Sequence, residues 1–172
     1  VSYWTHNYYG NGRGKTTAAL GLGIRAAGVG KQVIMVQFLK KKHSDTLDFL
    51  KKLEPELQIF RFEKAACGYS DLSPKEKQEQ MLNIKNALGY SRKVLDTGQC
   101  DLLILDEIFG LVDYNIITIE ELMDLIAVKK DSMDLILTGR NLPDEVREIA
   151  DCVYSIQREK EKTPEILAQG NF

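Results

Sequence analysis

Two periodicities take turns along the chain. Gln32-Val33-Ile34-Met35-Val36-Gln37-Phe38 is a short β-branched run. Leu57-Gln58-Ile59-Phe60-Arg61-Phe62 alternates apolar and polar positions, as a half-buried strand does. Leu102-Leu103-Ile104-Leu105 is apolar without a break, which suits a strand covered on both faces. Tyr3 to Tyr9, Asp134 to Thr138 and Val153 to Ile156 read as three further strands. Helical patterns lie between them. Thr16 to Ala27 is rich in Ala and Leu and is expected to stop at Gly28, a C′ glycine. Ser73-Pro74-Lys75-Glu76 places Ser at an N-cap, Pro at N1 and Glu at N3. That capping box opens a helix expected to run to Asp96, with Met81, Leu82, Ile84, Leu88 and Leu95 as its core positions. Thr118 to Val128 is another helix, and so is Leu142 to Ile149, with Pro143 in its first turn.

Strands alternating with helices predict an α/β fold of three α/β/α layers around a mostly parallel sheet. Such sheets bind ligands beyond the carboxyl ends of their strands. Residues just after strands are therefore the ones to inspect for chemistry.

Composition narrows the class. The 172 residues, 44% apolar and 28% charged, suit one globular domain spanning 1–172. A net charge of −2 does not suggest a general nucleic-acid binder. Cys67, Cys100 and Cys152 are scattered and lack C-x-x-C spacing, so they read as reduced thiols rather than a disulfide framework or zinc site. His6 and His43 are too few and too far apart for a metal cluster. No apolar run approaches the roughly 20 residues of a membrane span. Val1 to His6 lacks the charged and apolar regions of a signal peptide. The expected setting is cytoplasmic, with no membrane and no nucleic-acid partner.

Glycines change the picture. Five of the first seven fall between Gly10 and Gly23. Gly10-Asn11-Gly12-Arg13-Gly14-Lys15-Thr16-Thr17 follows a strand pattern and precedes a helix pattern. That is the context of a phosphate-binding loop. Glycines let backbone N–H groups converge on phosphate oxygens, and the helix N-terminus adds unpaired donors. Lys15 would neutralise phosphate charge, and the Thr16 hydroxyl would ligate Mg²⁺. The usual spacing places glycine at position 9, where Tyr9 stands, so the loop is one residue short. The competing reading is a glycine-rich turn capping an ordinary helix. Leu102-Leu103-Ile104-Leu105-Asp106-Glu107 ends an apolar strand in two carboxylates, at the edge where Mg²⁺ would sit. For Asp106 the alternative is an N-cap, and for Glu107 a solvated turn residue. Lys40-Lys41-Lys42-His43 reads as a solvated loop, or as a run facing a ligand's anionic groups.

These residues resemble the P-loop-type ATP:corrinoid adenosyltransferases. The shortened loop Gly10-Asn11-Gly12-Arg13-Gly14-Lys15-Thr16-Thr17-Ala18-Ala19 carries the resemblance most specifically, with Leu137-Thr138-Gly139-Arg140-Asn141 after a late strand. Arg25-Ala26-Ala27-Gly28, Val36-Gln37-Phe38-Leu39-Lys40, Leu105-Asp106-Glu107-Ile108 and Ile119-Glu120-Glu121-Leu122 follow the family in order and spacing. The resemblance covers nearly the whole chain. It implies a RecA-like P-loop nucleoside triphosphatase fold. It implies transfer of the 5′-deoxyadenosyl group of ATP to the reduced cobalt of a corrinoid, with release of triphosphate. Gly10, Asn11, Gly12, Arg13, Gly14, Lys15, Thr16 and Thr17 would cradle the triphosphate, Arg25 and Arg140 would assist, and Lys15 and Glu107 would be catalytic. Thr16, Asp106 and Glu107 would hold Mg²⁺ or Mn²⁺. The resemblance further implies a homodimer and an electron-donating flavoprotein partner. Many members carry an N-terminal extension, whereas this chain is expected to open almost directly on its first strand.

Three departures fall on the side expected to meet the corrinoid. Where the family has Gly-Phe-x-Trp, this chain has Gly68-Tyr69-Ser70-Asp71, leaving Tyr69 as the candidate aromatic. Where the family tail has Lys-His and aromatics, this chain has Arg158-Glu159-Lys160-Glu161-Lys162-Thr163-Pro164. Phe109 stands where a polar residue is commoner. Two other classes keep the same loop: a diverged ATPase or small-molecule kinase, with Glu107 positioning water or an acceptor hydroxyl, and a nucleotide-dependent binding module without chemistry.

Overall fold

The computed structural model describes residues 3–40, 45–62 and 68–161. Six strands form one sheet: β1 (Thr5–Tyr9), β2 (Val33–Gln37), β3 (Leu57–Phe60), β4 (Leu102–Asp106), β5 (Asp134–Gly139) and β6 (Cys152–Ser155). Their order is β3-β2-β4-β5-β1-β6, and every neighbouring pair is parallel. Six helices connect them: α1 (Lys15–Gly28), α2 (Asp45–Leu50), α3 (Pro74–Thr97), α4 (Ile108–Asp113), α5 (Ile119–Ala127) and α6 (Asp144–Ile149). The expected three-layer α/β arrangement is present.

The period of two in the strands sorts side chains between two cores. Val33, Met35, Leu57, Leu102, Ile104 and Ile136 pack with Ala19 and neighbouring residues of α1 on one face. Ile34, Val36, Leu103, Leu105, Leu135 and Leu137 pack on the other face with residues of α3, α4, α5 and α6. Each such aliphatic side chain, once buried, contributes about 1.5–3 kcal/mol. Strands buried on both faces explain why β2, β4 and β5 read as near-continuous apolar runs.

Helix ends follow their local chemistry. Ser73 accepts from the Glu76 N–H and Glu76 Oε2 accepts from the Ser73 N–H (3.3 and 2.8 Å), so the capping box forms as expected. Gly28, expected beyond the end of α1, lies inside it. The positive φ falls instead on Gly30, at 84°. Gly30 donates to Ala27 O and Lys31 to Ala26 O, the paired bonds of a Schellman end. Helix α6 begins after Pro143, not at Leu142, because Pro143 is extended at the N-cap. Leu82, expected in the core, is 63% exposed on the solvent side of α3. Helices α2 and α4 are additional to the sequence reading. Lys41, Lys42, His43, Cys67 and the tail from Lys162 onward lie outside the described residues.

Candidate functional site: a glycine loop over a buried carboxylate

The loop after β1 is shaped by the strand exits beside it. The Gly10 N–H donates to Arg140 O (3.0 Å) and the Gly12 N–H to Ile156 O (2.9 Å). A Cβ at position 10 would run into the Ile156 carbonyl, and φ there is +123°. Gly14 caps α1 at φ 113°, with open space where its Cβ would be. No side chain caps this helix and no acidic residue occupies its first turn. Its leading N–H groups and positive dipole end are therefore presented to a ligand, a setting that favours anions. Lys15 folds back over the loop, its Nζ donating to Gly12 O (2.9 Å). Burial lowers the Lys15 ammonium from its ordinary range, Lys40 and Arg140 add to that, and Glu107 and Asp106 oppose it.

Beneath the loop, strand register sets a polar row. Gln37 pairs with Asp106, and Leu105 with Leu137, so Gln37, Asp106 and Thr138 lie level on three adjacent strands. Each continues the parity of the residues that pack on α1. Asp106 is fully buried and accepts from Thr16 Oγ1 at 2.9 and 3.0 Å, from Thr138 Oγ1 at 2.7 Å and from Gln37 Nε2 at 3.0 Å. Lys40 Nζ stands 3.5 Å from Asp106 Oδ2 and 3.4 Å from Thr16 Oγ1. A positive φ of 55° at Leu39 turns the chain after β2 just before Lys40. Glu107 follows Asp106 at φ 63°, and its N–H donates to Thr138 Oγ1 (2.8 Å). Burial raises the Glu107 carboxyl above the usual carboxylate range. Lys40 and Lys15 oppose that shift, and Asp106 and Asp113 add to it.

The cleft over this row measures about 860 Å³ and is lined by residues 10–17 with Lys40, Glu107, Arg140 and Arg158. Five cations, Arg13, Lys15, Lys40, Arg140 and Arg158, face one carboxylate at its wall, Glu107. A second hollow of about 390 Å³ shares Gly10, Asn11 and Arg140 and adds Tyr9, Asn141, Leu142 and Gln157. Thr16, Asp106 and Glu107 offer only hard oxygen donors, a set that fits a divalent cation shared with phosphate oxygens.

Most of the residues singled out from sequence meet here. Arg25 does not: it is exposed near the far end of α1, ten residues and about 15 Å of helix from Lys15. Tyr69 stands apart from the cleft lining, against the Tyr114 ring (centroids 5.3 Å apart) with Lys77 Nζ 5.7 Å over it. Phe109, expected on the corrinoid side, is fully buried in the core and packs on Gly139. Gln37 and Thr138 stand within the blocks that carry the family resemblance, and Arg158 in the tail, but none of the three was assigned a role at the site. The available signal for the first two was a polar residue ending an apolar strand in phase with its α1-facing positions.

An all-parallel sheet, a glycine loop leading into α1 and an acid-ended strand β4 separated from β1 by β5 define the P-loop class with a RecA-like core. Within that class, the chain belongs to the ATP:corrinoid adenosyltransferase family BtuR/CobO/CobP, whose model matches residues 3–169. It is 29% identical over 150 residues to the corrinoid adenosyltransferase of Escherichia coli (strain K12), covering 87% of this chain and 74% of that protein. Corrinoid adenosyltransferase CobA of Salmonella typhimurium (strain LT2) matches with the same identity and coverage. In fold, the chain is similar to the KaiC-like protein PH0186 from Pyrococcus horikoshii OT3. That match has a TM-score of 0.59 at 20% identity, over 94% of this chain and 75% of that one.

Proposed function

We propose that this chain transfers the 5′-deoxyadenosyl group of ATP to the reduced cobalt of a corrinoid and releases triphosphate. The observation that carries the reading is the short glycine loop closed over the Thr16–Asp106 contact, in a cleft rimmed by cations. In this reaction a cobalt–C5′ bond forms and the C5′–oxygen bond to the triphosphate breaks. Reduced cobalt brings the electron pair, so no side chain has to remove a proton. The protein's tasks are to hold C5′ in line with the cobalt and to stabilise charge on the departing triphosphate. The amides of the loop other than those of Gly10 and Gly12, which donate to Arg140 O and Ile156 O, would hold the phosphates together with the start of α1. Lys15, Lys40, Arg13 and Arg140 would take up the developing negative charge. Thr16, Asp106 and Glu107 would hold Mg²⁺ or Mn²⁺, which supplies further positive charge against the phosphates. Glu107 would act through that cation; burial raises its carboxyl, and Lys40 and Lys15 oppose the shift. Tyr69, with Tyr114 beside it, would offer an aromatic surface to the corrinoid. A flavoprotein would reduce the cobalt, and two copies of the chain would form the working unit.

Anaerobic incubation with ATP, Mg²⁺ and chemically reduced cobalamin tests this, with cobalt–carbon bond formation followed by absorbance. Adenosylated corrinoid and intact triphosphate are expected. ADP and phosphate, or a phosphorylated acceptor, would move the chain to the hydrolase or kinase class. Lys15→Ala is expected to abolish turnover, and near-normal rates would contradict the site. Tyr69→Ala should raise the corrinoid KM while leaving ATP affinity unchanged; equal loss of both would remove Tyr69 from that role.

A further inference from the structure

The polar row beneath the loop extends one strand beyond the residues that serve the cleft. β3 lies outside β2, and Ile59 pairs with Met35. Arg61 and Gln37 each stand two residues further on, so they meet at the same level and on the same face. Arg61 Nε donates to Gln37 Oε1 at 2.6 Å, and Gln37 Nε2 donates to Asp106 Oδ2 at 3.0 Å. Asp106 in turn accepts from Thr16 Oγ1. Arg61, Gln37, Asp106 and Thr16 thus form a hydrogen-bonded line from the β3 edge of the sheet to the phosphate loop. Thr16 lines the cleft, whereas Arg61 and Gln37 do not.

Donor and acceptor chemistry fixes the direction of this line. A guanidinium has donors only, so it must meet the oxygen of the amide. The amide nitrogen is then left facing Asp106, and a carboxylate can only accept. Turned over, the amide would set its oxygen against the carboxylate and its NH₂ against the guanidinium, unfavourable at both ends. Arg61 therefore selects one of two orientations that Gln37 could otherwise adopt. It does so from a partly buried position, where burial lowers its guanidinium from the ordinary range and Asp106 opposes that shift.

We propose that Arg61 is a positioning residue: through Gln37 it holds Asp106 in the setting that takes the Thr16 hydroxyl proton and leaves the Thr16 oxygen free to ligate the cation that would accompany bound phosphate. The inference rests on the nucleotide reading of the cleft. A merely structural role would have Arg61 tie β3 to β2 with no effect at Thr16.

The test uses the full chain and two readouts: ATP affinity by calorimetry with Mg²⁺ present, and adenosylation of reduced cobalamin. Arg61→Met and Gln37→Leu are each expected to weaken ATP binding about tenfold, the scale of one lost charge-assisted hydrogen bond. The double variant should bind within about twofold of Gln37→Leu alone, because Arg61 acts through Gln37. Arg61→Lys should recover part of the loss, since it retains a donor. Gln37→Glu keeps an acceptor for Arg61 but sets a carboxylate against Asp106, and should bind ATP no better than Gln37→Leu. A double-variant loss equal to the product of the single losses would overturn the proposal. So would ATP affinity at the wild-type level in Arg61→Met or Gln37→Glu. Should Arg61→Met fail to fold, Gln37→Glu and Arg61→Lys decide the matter on the same affinity criterion. A wild-type chain that binds ATP but forms no cobalt–carbon bond would remove the adenosylation reading. The affinity cycle would still stand.

Discussion

Asp106 has no exposed surface, yet it accepts from three side chains at 2.7 to 3.0 Å. Thr138 has two tasks in this arrangement: its hydroxyl donates to Asp106 and accepts from the Glu107 N–H. Thr138→Val keeps the shape and removes both bonds. It is expected to cost about 1–3 kcal/mol in urea denaturation, because a buried carboxylate and a backbone donor lose partners. It should also weaken ATP binding, since Thr16 shares the same carboxylate. A stability change within about 0.5 kcal/mol would mean that the row is not maintained as described. Asp106 and Glu107 were legible in the sequence because acids ending an apolar strand stand out. The roles of Gln37, Arg61 and Thr138 were not, although Gln37 and Thr138 stand within the resemblance blocks. A single polar residue at a strand end looks like an ordinary exit to solvent, and only the pairing of β3, β2, β4 and β5 brings the three into line.

Among the elements, the helices with sequence-readable starts are those that cap themselves. Ser73 and Thr118 each close a capping box with a glutamate three residues on. Helix α1 has no such cap, and its start was legible only through the glycines. Helix α4 was hidden. It is six residues long, its N-cap Glu107 is left-handed at φ 63°, and Ile108 through Leu111 are all buried. A segment buried all round carries no amphipathic signature. Its place is set by contact with the end of β5, where a Cβ on Gly139 would run into the Cβ and ring of Phe109. Gly139→Ala is therefore expected to lower stability by about 1–3 kcal/mol, read as a fall in thermal midpoint. Adding Phe109→Ala should not restore it, because the Phe109 Cβ remains. An unchanged midpoint in Gly139→Ala would show that α4 is free to shift. Phe109 also shows why family-level expectation went astray: a residue that looks displaced in a motif can be part of the core.

At the scale of the molecule, the alternation of strands and helices was enough to anticipate a parallel α/β sheet, because strands covered on both faces read as apolar runs. Strand order was not legible, since β1 and β5 are separated by more than a hundred residues yet pair along their length. No helix among the described residues is long and apolar enough to cross a membrane. The larger core also determines the chemistry of one thiol. Burial pushes Cys100 up to about 12, against the lowering effect of backbone hydrogen bonds at Ile34 and Leu102. At pH 8 almost none of it is thiolate, so alkylation should leave Cys100 unmodified in the native protein and label it once denaturant is added. Peptide mapping by mass spectrometry reads this directly. Rapid native labelling would show that the core opens more readily than its packing implies.

Strand order also has a consequence for the chain as it is made. The glycine loop is translated before either neighbour of β1, since β5 and β6 both follow it by more than a hundred residues. Its two supporting carbonyls belong to Arg140 and Ile156. The loop must wait, without its scaffold, until β5 and β6 have been translated. A chain interrupted before Ile156 would contain every residue of the loop motif and still lack the surface that gives the motif its shape.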